Sequence, residues 1–177
     1  MGLRGVYSPH MPLSDEVLKG DFLALGRAIT LVEGGALEGR TLLDALSGGV
    51  GKALRIGITG PPGGGKSTTI DELSTAYRAR GEKVAVIAVD PTSPFTGGAL
   101  LGDRIRMNRS TETGDVFMRS MATRGTSGGL ARATQDAADL LDASGRTVIL
   151  LETVGVGQSE IEVSRAADCV IVMLSPE

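Results

Sequence analysis

Gly60-Pro61-Pro62-Gly63-Gly64-Gly65-Lys66-Ser67 decides how this chain folds. The stretch fits G-x-x-x-x-G-K-[ST], the pattern of a phosphate-binding loop. A triphosphate carries several negative charges, and glycines let successive backbone N–H groups approach its oxygens without crowding. A helix that starts at the loop adds the positive end of its dipole. In this pattern Lys66 reaches the β- and γ-phosphates, and the Ser67 hydroxyl holds Mg²⁺. The flanks supply the context the motif needs. Leu54-Arg55-Ile56-Gly57-Ile58-Thr59 reads as a strand running into the loop. After it, Ile70, Leu73 and Tyr77 recur at helical spacing and Gly81 marks a stop.

Outward from the loop the pattern stays α/β. Lys83 to Val89 reads as an apolar strand ending in Asp90, and residues 97–109 contain a helix. Val116 to Met121 is a short strand. Leu130 to Ala143 is a helix with Leu130, Ala133, Ala137 and Leu140 on one face. Thr147 to Leu151 and Cys169 to Leu174 complete the strands. Strands that alternate with helices and lack hairpin signals predict a mostly parallel sheet flanked by helices, the α/β class of P-loop NTPases. Ligands in such sheets bind at the carboxyl ends of the strands, where Thr59-Gly60, Asp90 and Glu152 all fall.

Upstream, residues 1–13 read as an irregular leader and 14–50 as a helical segment, with the α/β domain spanning 51–177. Asp15 to about Leu46 is expected to be helical. Phe22, Leu25, Ile29 and Val32 form one apolar face, Gly34-Gly35 makes a break, and Arg40 to Leu46 resumes the helix. Ser47 to Gly51 reads as a hinge or loop. The helical preface either packs on the domain or serves as a partner-binding arm.

Phosphoryl transfer needs a phosphate cradle, a held Mg²⁺ and a positioned attacking water. The usual Mg²⁺ device is an acidic residue ending an apolar strand. Val148-Ile149-Leu150-Leu151-Glu152 has that form, with Glu in place of Asp, and the extra methylene favours a water-mediated contact. Glu152-x-x-Gly155 has the spacing of a switch that senses the γ-phosphate through a backbone N–H. Gln158 either orients the water or is a solvated loop amide. Asp90 ends a buried strand, where a bare carboxylate needs a cation or donors. Asp103 follows a glycine-containing segment and either closes over a nucleotide or lies on a helix surface. Arg104, Arg106 and Arg109 form a basic edge or a solvated helix face. The roles of Arg119 and Arg124 stay open.

Bulk properties narrow the classes. A net charge of -3 gives no electrostatic case for nucleic acid or an anionic membrane. No apolar run approaches the roughly 20 residues of a membrane span, and the N-terminus has no signal-peptide core, so the expected location is cytoplasmic. Cys169 lies in an apolar run that reads as a buried strand, and it is a core residue rather than a reactive thiol on that reading. Cys169 and His10 are the single cysteine and histidine, which argues against a Cys/His metal site. Aromatic content of 3% with no Trp argues against stacking platforms for single-stranded nucleic acid.

Four blocks together resemble a known family: Gly57 to Thr68; Ala88-Val89-Asp90-Pro91-Thr92-Ser93-Pro94 through Leu101-Gly102-Asp103; Arg119 to Gly125; and Glu152-Thr153-Val154-Gly155-Val156-Gly157-Gln158. Their order resembles the G-protein chaperones of methylmalonyl-CoA mutase, formerly labelled kinases of a lysine/arginine/ornithine transport system. The likeness runs from about Leu18 to Met173. It implies a slow GTPase that binds GTP and Mg²⁺ and protects, or helps load, an adenosylcobalamin-dependent mutase. It implies that Gly60, Pro61, Pro62, Gly63, Gly64, Gly65, Lys66, Ser67 and Thr68 hold phosphates. It implies that Ser67, Asp90, Asp103 and Glu152 surround Mg²⁺, directly or through water, and that Gly155 to Gln158 form a switch. Lys66, Gly155 and Gln158 are thereby the implied catalytic set.

The family's guanine-reading Asn-Lys-x-Asp and its C-terminal homodimerisation arm have no counterpart up to Glu177, so a truncated form is expected. Two rivals remain on the sequence alone: an ATP-dependent kinase or ATPase, and a non-catalytic phosphate-binding or mutase-binding fragment.

Overall fold

A computed structural model describes residues 12–90, 116–122, 129–153 and 164–174. Five strands, β1 (Leu54–Thr59), β2 (Val84–Asp90), β3 (Phe117–Ala122), β4 (Val148–Thr153) and β5 (Cys169–Val172), form one sheet in the order β3-β2-β4-β1-β5. Every pair is parallel. The central strands read Val-Ala-Val-Ile-Ala-Val-Asp and Val-Ile-Leu-Leu-Glu-Thr, the near-continuous apolar runs that a sheet buried on both faces requires. The expected fold class is what the chain adopts.

Strand alternation sorts the side chains into two layers. Ala85, Ile87, Val89, Ile149 and Leu151 pack against helices α2 (Phe22–Glu33), α3 (Leu37–Leu46) and α5 (Gly129–Ala143). Val84, Val86, Val148, Leu150, Ile56 and Ile58 pack on the other face around Ile70 of α4 (Lys66–Ala79). On α5, Ala137 and Leu140 of the expected apolar face are fully buried and Ala133 is partly so.

The N-terminal helices share the core of the sheet. Val17 of α1 (Leu13–Leu18) and Ala24, Leu25, Ala28, Ile29 and Val32 of α2 belong to the same buried cluster as β2 and β4. The first helical stretch is not continuous, as the sequence suggested: it breaks at Lys19–Asp21. Asp21 opens α2 as its N-cap, accepting a hydrogen bond from the Ala24 N–H at 2.8 Å. Gly34-Gly35 makes the expected second break.

The glycine-rich segment after α3 is pinned rather than free to hinge. Its N–H groups at Gly51, Lys52 and Ala53 donate to the Asp142 carboxylate, which is buried on α5. Arg55 closes the same network, donating to Asp139 at 2.8 Å and Asp142 at 3.1 Å. Burial works against the Arg55 charge, but the hydrogen bonds to the two carboxylates outweigh it and hold its guanidinium above the usual arginine value.

β5 corrects one expectation. Cys169 is exposed, and so are Val170, Val172 at 61% and Leu174 at 81%. The strand pairs with β1 alone at the edge of the sheet. Only Ile171 and Met173 pack inward, on the α4 side. An apolar run therefore marked a strand correctly without marking a buried one. The expected helix within 97–109 lies outside the described residues.

Candidate phosphate-binding site

β1 delivers the chain to Gly60 at the carboxyl edge of the sheet, and α4 begins at Lys66. Gly60 has φ +138°, and a Cβ there would sit 2.4 Å from the Met173 carbonyl oxygen, so no other residue fits without moving the chain just after β5. Gly65 takes a left-handed conformation, φ +83°, as the N-cap of α4, and its carbonyl accepts the Thr69 N–H at 2.9 Å. Between them the Gly64 N–H donates to the Pro61 carbonyl at 3.1 Å, turning the loop back on itself. Pro61, Pro62, Gly63 and Thr68 are exposed, as is Gly65, while Lys66 is buried.

Lys66 lies across this loop. Its ammonium donates to the carbonyls of Gly60 at 2.8 Å and Pro61 at 2.9 Å. Ser67, in the first turn of α4, donates from its hydroxyl to Glu152 Oε1 at 2.9 Å. Two sequence-predicted residues 85 positions apart thus meet. Register explains why. Ile58 of β1 pairs with Glu152 of β4, so Glu152 belongs to the row that faces α4, above Val148 and Leu150. Ala88 of β2 pairs with the same Glu152, and Asp90 is the last residue of β2. Asp103, Gly155 and Gln158 lie outside the described residues, as do Arg104, Arg106, Arg109 and Arg124.

Hydroxyl and carboxylate oxygens are the donors a hard cation such as Mg²⁺ takes. The Ser67–Glu152 pair at the start of α4 fits that chemistry. Among the described residues no group of three or more His, Cys, Asp or Glu side chains is arranged to hold a metal ion.

Arg119, left open by the sequence, has a different place. It projects from β3 to α2, donating to Glu33 at 2.7 Å and to Thr30 at 3.0 Å. It ties an outer strand to the layer opposite α4.

Two residues near the loop, Thr153 and Met173, were given no role by sequence reasoning, and Thr59 was placed at its strand end without its partner. Thr153 donates to Thr59 at 2.9 Å, and both are buried. Thr59 immediately precedes Gly60 and Thr153 immediately follows Glu152, so this bond clasps the strands that carry the two halves of the site. Their position at the ends of the two motif strands was the available signal. Met173 donates its N–H to the Thr59 carbonyl at 2.8 Å, and its sulfur lies 3.9 Å from the Thr69 hydroxyl. Nothing in the sequence distinguished that methionine from any apolar residue.

Comparison with known proteins agrees with this geometry. The family profile described as "Methylmalonyl Co-A mutase-associated GTPase MeaB" matches residues 25–177. A putative GTPase of Pyrococcus abyssi is 53% identical over 164 residues, covering 93% of this chain and 51% of that protein. The GTPase ArgK of Escherichia coli is 43% identical over 157 residues, covering 86% of this chain and 47% of that protein. A solved structure described as a LAO/AO transport system kinase superposes with a TM-score of 0.69 at 33% identity, covering 91% of this chain and 48% of that one. The chain spans about half the length of the curated relatives it matches. It belongs to the MeaB family of P-loop GTPases.

Proposed function

We propose that this chain, as a member of that family, carries the nucleotide site of a chaperone that binds GTP, hydrolyses it slowly, and protects or assists cofactor loading of adenosylcobalamin-dependent methylmalonyl-CoA mutase. The observation that carries the reading is the direct Ser67–Glu152 hydrogen bond beside a lysine laid across the phosphate loop. The partner follows from the family description, which names that mutase.

In this reading residues 60–68 hold the phosphates, and Lys66 exchanges the Gly60 and Pro61 carbonyls for β- and γ-phosphate oxygens. Ser67, Asp90, Asp103 and Glu152 present the oxygens that surround Mg²⁺, which supplies charge neutralisation on the phosphates when bound. Gly155 offers a backbone N–H to the γ-phosphate, and Gln158 orients the attacking water. The setting is the cytoplasm. No helix among the described residues is long and apolar enough to cross a membrane.

Titration of GTP and ATP in the presence of Mg²⁺ tests the reading. Lys66→Ala should weaken nucleotide binding by about tenfold to a hundredfold, the worth of one or two charge-assisted hydrogen bonds, with the fold intact by circular dichroism. Binding that ignores this change would remove the loop from the function. Equal affinity for GTP and ATP would place guanine selectivity outside these residues. Slower inactivation of the mutase when the chain and GTP are added is the expected chaperone readout. Phosphate transfer to an acceptor would support the kinase rival instead.

A further inference from the structure

The amino ends of β2 and β4 form the opposite rim of the sheet, about 20 Å along the strands from the phosphate loop. A pocket of about 420 Å³ opens there, and four of its lining side chains are cationic, Lys19, Arg78, Lys83 and Arg146, against one carboxylate, Glu82. Arg146 is the unusual member. It is buried, with 7% of its surface exposed. Its guanidinium sits 4.8 Å above the Phe22 ring centroid, and one terminal nitrogen donates to the Gly20 carbonyl at a long 3.3 Å. Its Nε–H is buried and meets no acceptor, and no carboxylate among the described residues pairs with it. Burial pulls its pKa below the usual arginine value, yet a guanidinium stays charged in any protein.

A structural role covers part of this. α1, α4 and α5 all end near the pocket, and cations offset the negative ends of helix dipoles. That accounts for Lys19 and Arg78. It does not account for a buried guanidinium with an idle donor, because buried polar groups are almost always hydrogen-bonded. A planar guanidinium without a carboxylate partner, in a pocket also lined by the ammonium groups of Lys19 and Lys83, is the arrangement that takes a tetrahedral oxyanion.

We propose that this pocket binds a phosphate group, either inorganic phosphate or the terminal phosphate of a small molecule, at a site separate from the phosphate loop. The proposal does not rest on the chaperone reading. The test uses nitrogen-labelled full chain carrying Lys66→Ala, which disables the loop, titrated with inorganic phosphate and with phenyl phosphate. The expected result is a saturable shift of the Arg146 Nε–H resonance and of the Gly20 and Lys83 amides. Arg146→Lys should weaken that binding about tenfold, as loss of a charge-assisted hydrogen bond implies. Lys83→Gln, an exposed change that leaves the core alone, should weaken it as well, and it keeps the test valid if the arginine variant fails to fold. Tighter binding of the ester than of phosphate would assign a small-molecule source, and the reverse would assign free phosphate. No saturable shift, an equal shift with chloride, or an unchanged titration in Lys83→Gln would overturn the proposal.

Discussion

The two faces of the sheet are built for different tasks. The face covered by α2, α3 and α5 is tied down by long-range polar bonds: Asp142 to three backbone N–H groups, Arg55 to Asp139 and Asp142, and Arg119 to Glu33. The face covered by α4 has a smaller apolar cluster. Its polar contacts gather at one end, where Lys66, Ser67 and Glu152 meet. Ligand binding asks for side chains that can exchange partners, and folding asks for side chains that cannot. This chain keeps the two demands on opposite sides of one sheet.

Asp142→Ala should produce the largest effect on the stabilising face. It takes from Arg55 the buried one of its two carboxylate partners, leaving Asp139, and leaves the Gly51, Lys52 and Ala53 N–H groups without their acceptor. Removing one partner of a buried charge network costs about 3–5 kcal/mol. Urea denaturation measures the loss. Nucleotide affinity of the protein that remains folded should be unchanged, because nothing in this network touches the α4 face. A large loss of affinity in the folded fraction would break the division between the faces.

Thr153→Val probes where the faces join. The Thr153–Thr59 bond lies on the α5 side of the sheet but backs directly onto Gly60 and Glu152. Valine keeps the shape and leaves the buried Thr59 hydroxyl without its partner, a cost of about 1 kcal/mol or somewhat more. Here a modest stability loss should come with weaker nucleotide binding, since the clasp aligns the strand ends that carry the site. Thr153→Ser should restore both. Stability lost with binding untouched would mean that the division is stricter than the clasp implies.

How far these features were legible from the chain depended on how local their causes are. The strand, loop and helix at residues 54–79 follow from a glycine pattern and a change of hydrophobic period within one stretch, so they were read correctly. The meeting of Ser67 and Glu152 was legible too, because the chemistry of a held cation demands an acid at a neighbouring strand end. Asp142 was not. Its partners lie about 90 positions earlier in the chain, and no periodicity connects them. Apolar spacing across Phe22 to Val32 masked the N-cap signal of Asp21, so the first helical break went unseen. β5 shows a further limit: apolar content makes a strand but does not say whether it will be central or at an edge.

The smallest expected effect sharpens the picture of the stabilising face by asking whether every charge on it contributes. Asp136 on α5 has its carboxyl pushed above the usual value, first by burial, then by the neighbouring Asp139, with Arg132 and Arg40 pulling the other way. A raised folded pKa means the native state holds its proton more tightly than the unfolded chain. Stability therefore falls as pH rises from the unfolded value of about 3.8 through the folded one, and the cost persists at neutral pH. Asp136→Asn removes the charge and should raise stability at neutral pH by a few tenths of a kcal/mol, within the range of partly exposed substitutions. The gain should vanish below the unfolded value, where both states of the wild-type chain carry the proton and resemble the amide. Urea midpoints at the two pH values measure this. A variant less stable at neutral pH would show that attraction to Arg132 and Arg40 outweighs burial, and would add Asp136 to the bonds that hold this face together.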